Sequence, residues 1–187
     1  MSFINRLLMK PFYKICCILG LLAVAIFANS CNNETAEADS ERIKILGIDK
    51  DGNGVRDDLD SLIDAKIPDS PEKRAAYRYL AQAIQNQWTV FYENPQMSYE
   101  ELLPYEIYVS LGITLVNDVR AESDLKWKLF EAQLHNTMKR IFFDDKIDRV
   151  FVGQFLPVAV GRTKEYPNEV ATGRERYNEI LKLERMK

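Results

Sequence analysis

The stretch Asp69–Pro95, DSPEKRAAYRYLAQAIQNQWTVFYENP, decides the class of the fold. Asp69 is followed three residues later by Glu72, the spacing of a capping box, and Pro71 sits where a first helical turn tolerates it. Tyr77, Leu80, Ile84, Trp88 and Phe91 then recur at steps of three and four, which places them on one face of a helix. Asn94-Pro95 ends it. The stretch therefore predicts one helix running to about Glu93.

The flanking sequence repeats this grammar. Leu59, Leu62, Ile63 and Ile67 predict a short helix over 59–67, broken by Pro68-Asp69-Ser70-Pro71. Ser98 and Glu101 form a second capping box, opening a helix that takes in Pro104 and runs to about Val119. Its inner face is Ile107, Leu111, Leu115 and Val119, and Gly112 marks either a close helix contact or a weak point. Ser123 predicts the start of another helix to about Phe143, with Trp127, Phe130, Leu134, Met138 and Ile141 as its stripe. Residues 144–155 predict one more, on Ile147, Phe151 and Phe155. Pro157, Gly161 and Pro167 mark an irregular stretch, and Thr172 with Glu175 caps a last helix carrying Tyr177, Ile180 and Leu181. No run of alternating apolar residues is sustained anywhere. The expected fold is mostly α, a helical bundle of four to five helices in a single domain over 42–187, with a metal-loop motif at its N-terminal edge.

The first thirty residues are of another kind. Arg6, Lys10 and Lys14 precede thirteen apolar residues, Ile15 to Phe27, and Ala28-Asn29-Ser30 follows. A basic start, a short apolar core and a small-residue exit predict a signal peptide over 1–30. Thirteen residues fall short of the roughly 20 that span a bilayer. Ala28-Asn29-Ser30-Cys31 resembles the lipobox of bacterial lipoproteins, although Ala28 stands where leucine is usual. The resemblance implies acylation at Cys31, attachment to the membrane through that lipid and, with no Asp after the cysteine, the outer membrane of a Gram-negative bacterium. Ordinary cleavage near Ser30 with a free thiol is the other reading. Cys16 and Cys17 would leave with the signal, so Cys31 would have no disulfide partner. Asn32 to Glu41 has four acids and no large apolar residue, which predicts a flexible tether over 31–41.

Loss of the signal would take three of the 25 basic residues and none of the 28 acids, moving the formal charge from −3 to −6. Such a surface argues against a nucleic-acid partner and against adhesion to anionic headgroups.

Between tether and first long helix lies Asp49–Asp60, DKDGNGVRDDLD. Alternate positions offer oxygens: Asp49, Asp51, Asn53, the Val55 carbonyl, Asp57 and Asp60, with Gly54 allowing the sharp turn. Six to eight oxygens at about 2.3–2.6 Å are what calcium requires. D-x-D-x-N-G resembles the EF-hand loop, and more closely the short calcium repeats of thrombospondin type 3. That resemblance implies calcium held by those six residues. Asp60 replaces the usual glutamate, Arg56 replaces the aliphatic residue that couples paired loops, and no second loop follows. Asp144-Asp145-Lys146-Ile147-Asp148 has the acids but no glycine. A weak site, with a Kd on the order of 10⁻⁴ to 10⁻³ M, is expected. Its role would be structural, pinning Ile45 and Ile48 to Leu62 and Ile63. A solvated polar turn is the alternative.

No catalytic constellation stands out. The single histidine, His135, lies mid-helix with Glu131 one turn away as a possible orienter, and one histidine builds no zinc site. Ser110 and Ser123 lack a nucleophile-elbow context. Trp88, Phe91, Tyr92, Tyr99, Tyr105 and Tyr108 are either core or the lining of a groove for a protein, peptide, glycan or lipid. The expectation is a small lipid-anchored envelope protein with one structural calcium loop, acting as a binding or structural component. The alternative is an envelope hydrolase or other enzyme with an unrecognised active site.

Overall fold

A computed structural model describes residues 39–67, 70–120, 125–152 and 166–187. The expected signal segment 1–30, Cys31, the tether as far as residue 38, the Asp69 cap, the Ser123 helix start, Phe155, Pro157 and Gly161 all lie outside the described residues. Arg42–Lys187 forms one compact unit. Within it the fold is mostly α. The helices are α1 (39–46), α2 (Asp57–Lys66), α3 (Pro71–Glu93), α4 (Tyr99–Val119), α5 (Leu125–Leu134), α6 (Met138–Val150) and α7 (Pro167–Met186). None among the described residues is long and apolar enough to cross a membrane.

The chain is organised on α3, which packs against α4 and α7 along its length and meets α2 and α6 at opposite ends. Ser70, rather than Asp69, is its N-cap, accepting the Lys73 N–H at 3.3 Å. The stripe expected of it is the one buried: Tyr77, Leu80, Trp88 and Phe91 are all within the core. Two apolar clusters result. The N-terminal half of α3 joins Leu59, Ile63, Leu111, Leu115, Phe130 and Ile180. The C-terminal half joins Ile45, Leu46, Leu102, Phe143, Ile147 and Phe151. At about 1.5 Å per residue a helix of this length reaches roughly 35 Å, enough to serve both.

The capping box at Ser98 and Glu101 is present in both directions, at 3.3 and 2.8 Å, and α4 continues through Pro104 to Val119. Arg120 then lies over the Trp127 ring, 5.1 Å from its centre.

Three expectations are corrected. The helix expected over 123–143 is two: α5 ends at Leu134, and Thr137 caps α6 by accepting the Arg140 N–H. The break turns the second half of the expected stripe outward, so Met138 and Ile141 are exposed while Phe143, Ile147 and Phe151 are buried. The last helix starts at Pro167, a favoured first position, and Thr172 sits inside it. Residues 43–46 end α1, with Ile45 and Leu46 buried and Ile43 exposed; Ile48, beyond the helix, is exposed as well. Helix α1 already includes residues 39–41, at the end of the expected tether.

Gly112 is a close contact. A Cβ there would meet the Leu80 Cα and Cδ1, both at 2.9 Å, so α4 and α3 touch through backbone. Helix propensity alone makes Gly→Ala worth about 1 kcal/mol of added stability, whereas forcing a methyl against a backbone atom costs typically about 1–3 kcal/mol. The two effects have opposite signs, and a backbone neighbour cannot step aside. Gly112→Ala should lower the urea midpoint, by a net loss of up to about 2 kcal/mol. A raised midpoint would show that α3 and α4 do not approach this closely.

Candidate metal centre

The 49–60 loop leaves α1 through Gly47 and enters α2 at Asp57. Its ends are joined by the Asp57 N–H, which donates to the Ile48 carbonyl at 2.7 Å. Three glycines carry positive φ, at 47, 52 and 54. Gly54, at +82°, makes the turn the motif requires. Asp49 organises the curl. Its carboxylate accepts N–H groups from Gly52 at 2.9 Å, Asn53 at 3.2 Å and Gly54 at 2.8 Å. Asp51 accepts from the Asn53 backbone and from its side-chain amide, at 3.2 and 3.0 Å. Asp57 accepts the Lys50 N–H at 2.9 Å.

Carboxylate oxygens of Asp49, Asp51 and Asp57 lie within 4.8 Å of one another. Two oxygens each about 2.4 Å from one ion are at most about 4.8 Å apart, so the three fit a shared calcium-sized cation. The other expected ligands stand differently. The Asn53 Oδ1 accepts the Val55 N–H at 2.7 Å, and its Nδ2 donates to Asp51 and, at 2.6 Å, to Asp60. Asp60 turns its second oxygen to the Arg78 Nε at 2.8 Å. The Val55 side chain is buried in the first apolar cluster. Three of the four expected carboxylates are therefore gathered, and Asp60 is shared with a guanidinium from α3.

Three buried arginines fix the loop and its flanks. Arg56, 1% exposed, donates from Nη1 to the Leu134 carbonyl at 3.0 Å, from Nη2 to the Gln133 carbonyl and from Nε to Asp58 at 2.6 Å. It thereby satisfies carbonyls at the C-terminus of α5, which a helix end leaves without partners. Asp58 also accepts from Gln133 at 2.7 Å and Asn136 at 3.2 Å. Arg140 reaches back from α6 to the Ile45 carbonyl at 2.9 Å. Arg78 is paired with Asp60, Asp64 and Glu184 at 2.7–2.8 Å. Burial pushes the Arg56 and Arg140 guanidiniums down from their ordinary range, against the pull of Asp58. Burial acts on Arg78 in the same direction, but the Asp64 bond and the charges of Asp60 and Glu184 outweigh it and hold it above that range.

The expected contact of Ile45 and Ile48 with Leu62 and Ile63 is not formed. Ile48 is exposed, and Ile45 and Ile63 belong to different clusters. The aromatics are mostly core: Trp88 and Phe91 are buried, and Tyr92, Tyr99 and Tyr105 pack against them or against Phe143 and Phe151.

His135 is oriented by Asp144, not by Glu131. Its Nε2 lies 3.0 Å from Asp144 Oδ2, and Asp144 Oδ1 accepts the Trp88 indole N–H at 3.1 Å. Asp144 and Asp148 stand on α6, so that acidic run is helix and forms no loop. Nearby, burial pushes the Glu106 carboxyl up, partly offset by hydrogen bonds from Gln87 and Ser110. Among the described residues no hydroxyl is bonded to His135, so the pair has no nucleophile to activate.

No protein-family model matches this chain, and no curated protein or solved structure matches it either. What the coordinates define is a class: a helical domain with an acidic, glycine-turned loop at its N-terminal edge.

The histidine gives a direct check on this region. The Asp144 hydrogen bond, opposed by partial burial, raises the His135 pKa above its usual 6.5. A raised histidine contributes stability that is fully present below pH ~6.5 and is lost as pH rises through the folded-state pKa. NMR titration should place His135 above 6.5, and Asp144→Asn should return it toward the ordinary range and flatten the stability change across that window. An unshifted wild-type titration would rule out the pair.

Proposed function

We propose that this is an exported helical protein, held at the outer membrane of a Gram-negative bacterium by acylated Cys31, in which the 49–60 loop carries calcium as a structural staple. Helices α2 to α7 act as a bundle that presents a binding or structural surface in the envelope. The observation that carries the metal part is the convergence of Asp49, Asp51 and Asp57 on a loop with the D-x-D-x-N-G order. Calcium there would offset the mutual repulsion of these carboxylates. Asn53 would join by turning its amide so that Oδ1 faces the ion. Asp60 would contribute only by sharing itself with Arg78, which weakens the twelfth position further. The lipid part is carried by Ser30-Cys31 behind a thirteen-residue apolar run. A structural role fits better than a sensing one, because buried arginines hold the chain on both sides of the loop, Arg140 at Ile45 and Arg78 at Asp60, and no second loop is present among the described residues.

Two measurements test the two halves separately. At calcium concentrations of about ten times Kd, the folded state should gain roughly 1.4 kcal/mol over chelator, visible as a higher melting temperature. Asp49→Asn should abolish the gain, whereas Asp60→Asn should weaken calcium only several-fold while lowering the baseline stability through Arg78. A melting temperature indifferent to calcium would make the loop a solvated turn. Metabolic labelling with a tritiated fatty acid should mark the wild-type protein and not Cys31→Ser; equal labelling of both would place the lipid elsewhere or nowhere.

A further inference from the structure

A groove of about 650 Å³ opens beside the loop, walled by the end of α1, by Asp49 and Gly54, by α3, by Tyr108 of α4 and by the first turns of α7. Its size falls in the roughly 300–1,000 Å³ range of small-molecule sites. Its floor explains a feature that the apolar pattern passes over. Tyr79, Gln82, Ala83, Asn86 and Thr89 recur at helical spacing on the face of α3 that the apolar stripe does not occupy. This second stripe is chiefly polar, although the helix is covered on most other sides.

We infer that this groove binds a neutral, polyhydroxylated ligand, a short oligosaccharide segment. The donor and acceptor inventory argues for it. A sugar hydroxyl both donates and accepts, so its site must supply both. The Asn86 amide and the Thr172 and Tyr108 hydroxyls do so, and all three residues line the groove. Gln85 spends its Nε2 on the Leu46 carbonyl at 3.0 Å, which leaves its oxygen as an acceptor. The charges present are largely answered already. Arg176 pairs with Glu179 at 3.2 Å, and the Asp49 oxygens take three backbone N–H groups. A strong anion would want several unopposed guanidiniums, and a cation unopposed carboxylates; of the lining charges only Arg42 is not answered in this way, and the Arg42→Ala arm below tests it. Tyr108 adds an aromatic surface for sugar C–H groups.

A second observation points the same way. The Tyr79 hydroxyl is buried and has no hydrogen-bond partner among the described residues. It sits where a Cβ on Gly173 would come within 2.5 Å, and Gly173 lines the groove. A buried hydroxyl left unsatisfied costs about 1–3 kcal/mol, a cost that a ligand hydroxyl would relieve.

The inference does not rest on calcium in the loop or on acylation, although the groove shares a wall with the loop. Gln82 donates to the Asn53 carbonyl at 2.5 Å and accepts from the Arg176 Nε at 3.3 Å, so it links loop backbone to groove rim.

The test uses the full chain in a zwitterionic detergent without a sugar headgroup. Maltotriose and the β-1,4 trimer of N-acetylglucosamine are titrated by NMR, with trigalacturonate and inorganic phosphate as anionic probes. The titrations are run with calcium and with chelator. At least one neutral trimer should bind at roughly 10 mM or below, where a site of about millimolar Kd is close to filled. Asn86→Ala should weaken it about tenfold, and Thr172→Trp should block it, with melting temperatures held because both residues are exposed. Binding that persists in chelator supports the groove whether or not the calcium reading stands. Failure of both neutral trimers at that concentration overturns the inference. So does preferential binding of trigalacturonate or phosphate that is lost in Arg42→Ala or Arg176→Ala, which would make this an anion site. Binding indifferent to Asn86→Ala and Thr172→Trp overturns it as well.

Discussion

Two guanidinium groups taken out of water set the terms for everything around the loop. Arg56 and Arg78 are almost wholly buried, and a buried cation is tolerated only with good partners. Apart from Glu184 on α7, their carboxylate partners come from one short run. Asp58 goes to Arg56, while Asp60 and Asp64 go to Arg78. Asp57, in the same run, faces the loop. The first turns of α2 therefore divide their acids between a candidate ion and two fixed cations. Removing either arginine would strand carboxylates, and, for Arg56, the carbonyls that end α5. Breaking a buried pair by taking one partner costs about 3–5 kcal/mol, more than a millimolar calcium site supplies.

That division explains what was legible in the sequence. Local rules sufficed for α3 and α4, where Pro71, the Ser98–Glu101 box and apolar residues at steps of three and four all agree. They failed at 135–137. The apolar stripe of the sequence continues straight across His135-Asn136-Thr137. Thr137 has no acidic residue three positions on, so no capping box announced the break. Only tertiary contacts, Asn136 to Asp58 and Arg140 to Ile45, show why the chain turns there.

The site divides along the same line. Asp49, Asp51 and Asp57 were readable because their grouping follows from a twelve-residue curl and its glycines. Asp60 is less readable, because the guanidinium that shares it, Arg78, lies eighteen residues away on another helix. Arg56 stands at a position that paired loops fill with an aliphatic residue. Its use is to couple the loop to the end of α5 instead of to a second loop. The polar stripe of α3 was present in the sequence too. It gains meaning only when Gly173 brings α7 close enough to make the other wall.

These links bear on how far the loop could move. An EF-hand sensor works because ligating its last carboxylate drags a free helix to a new angle. Here the helix after the loop is held at its start by Arg56 to α5 and one turn on by Arg78 to α3 and, through Glu184, to α7. Shifting it would break buried ion pairs on two sides at once. A cation bound weakly by three carboxylates has too little energy to pull against that network. The adjustment open to it is local: the Asn53 amide, and the Asn53 carbonyl that Gln82 holds toward the groove. Any influence of the loop on a ligand would therefore pass through Gln82 to Arg176, as a change in the groove's rim, and leave the helices in place.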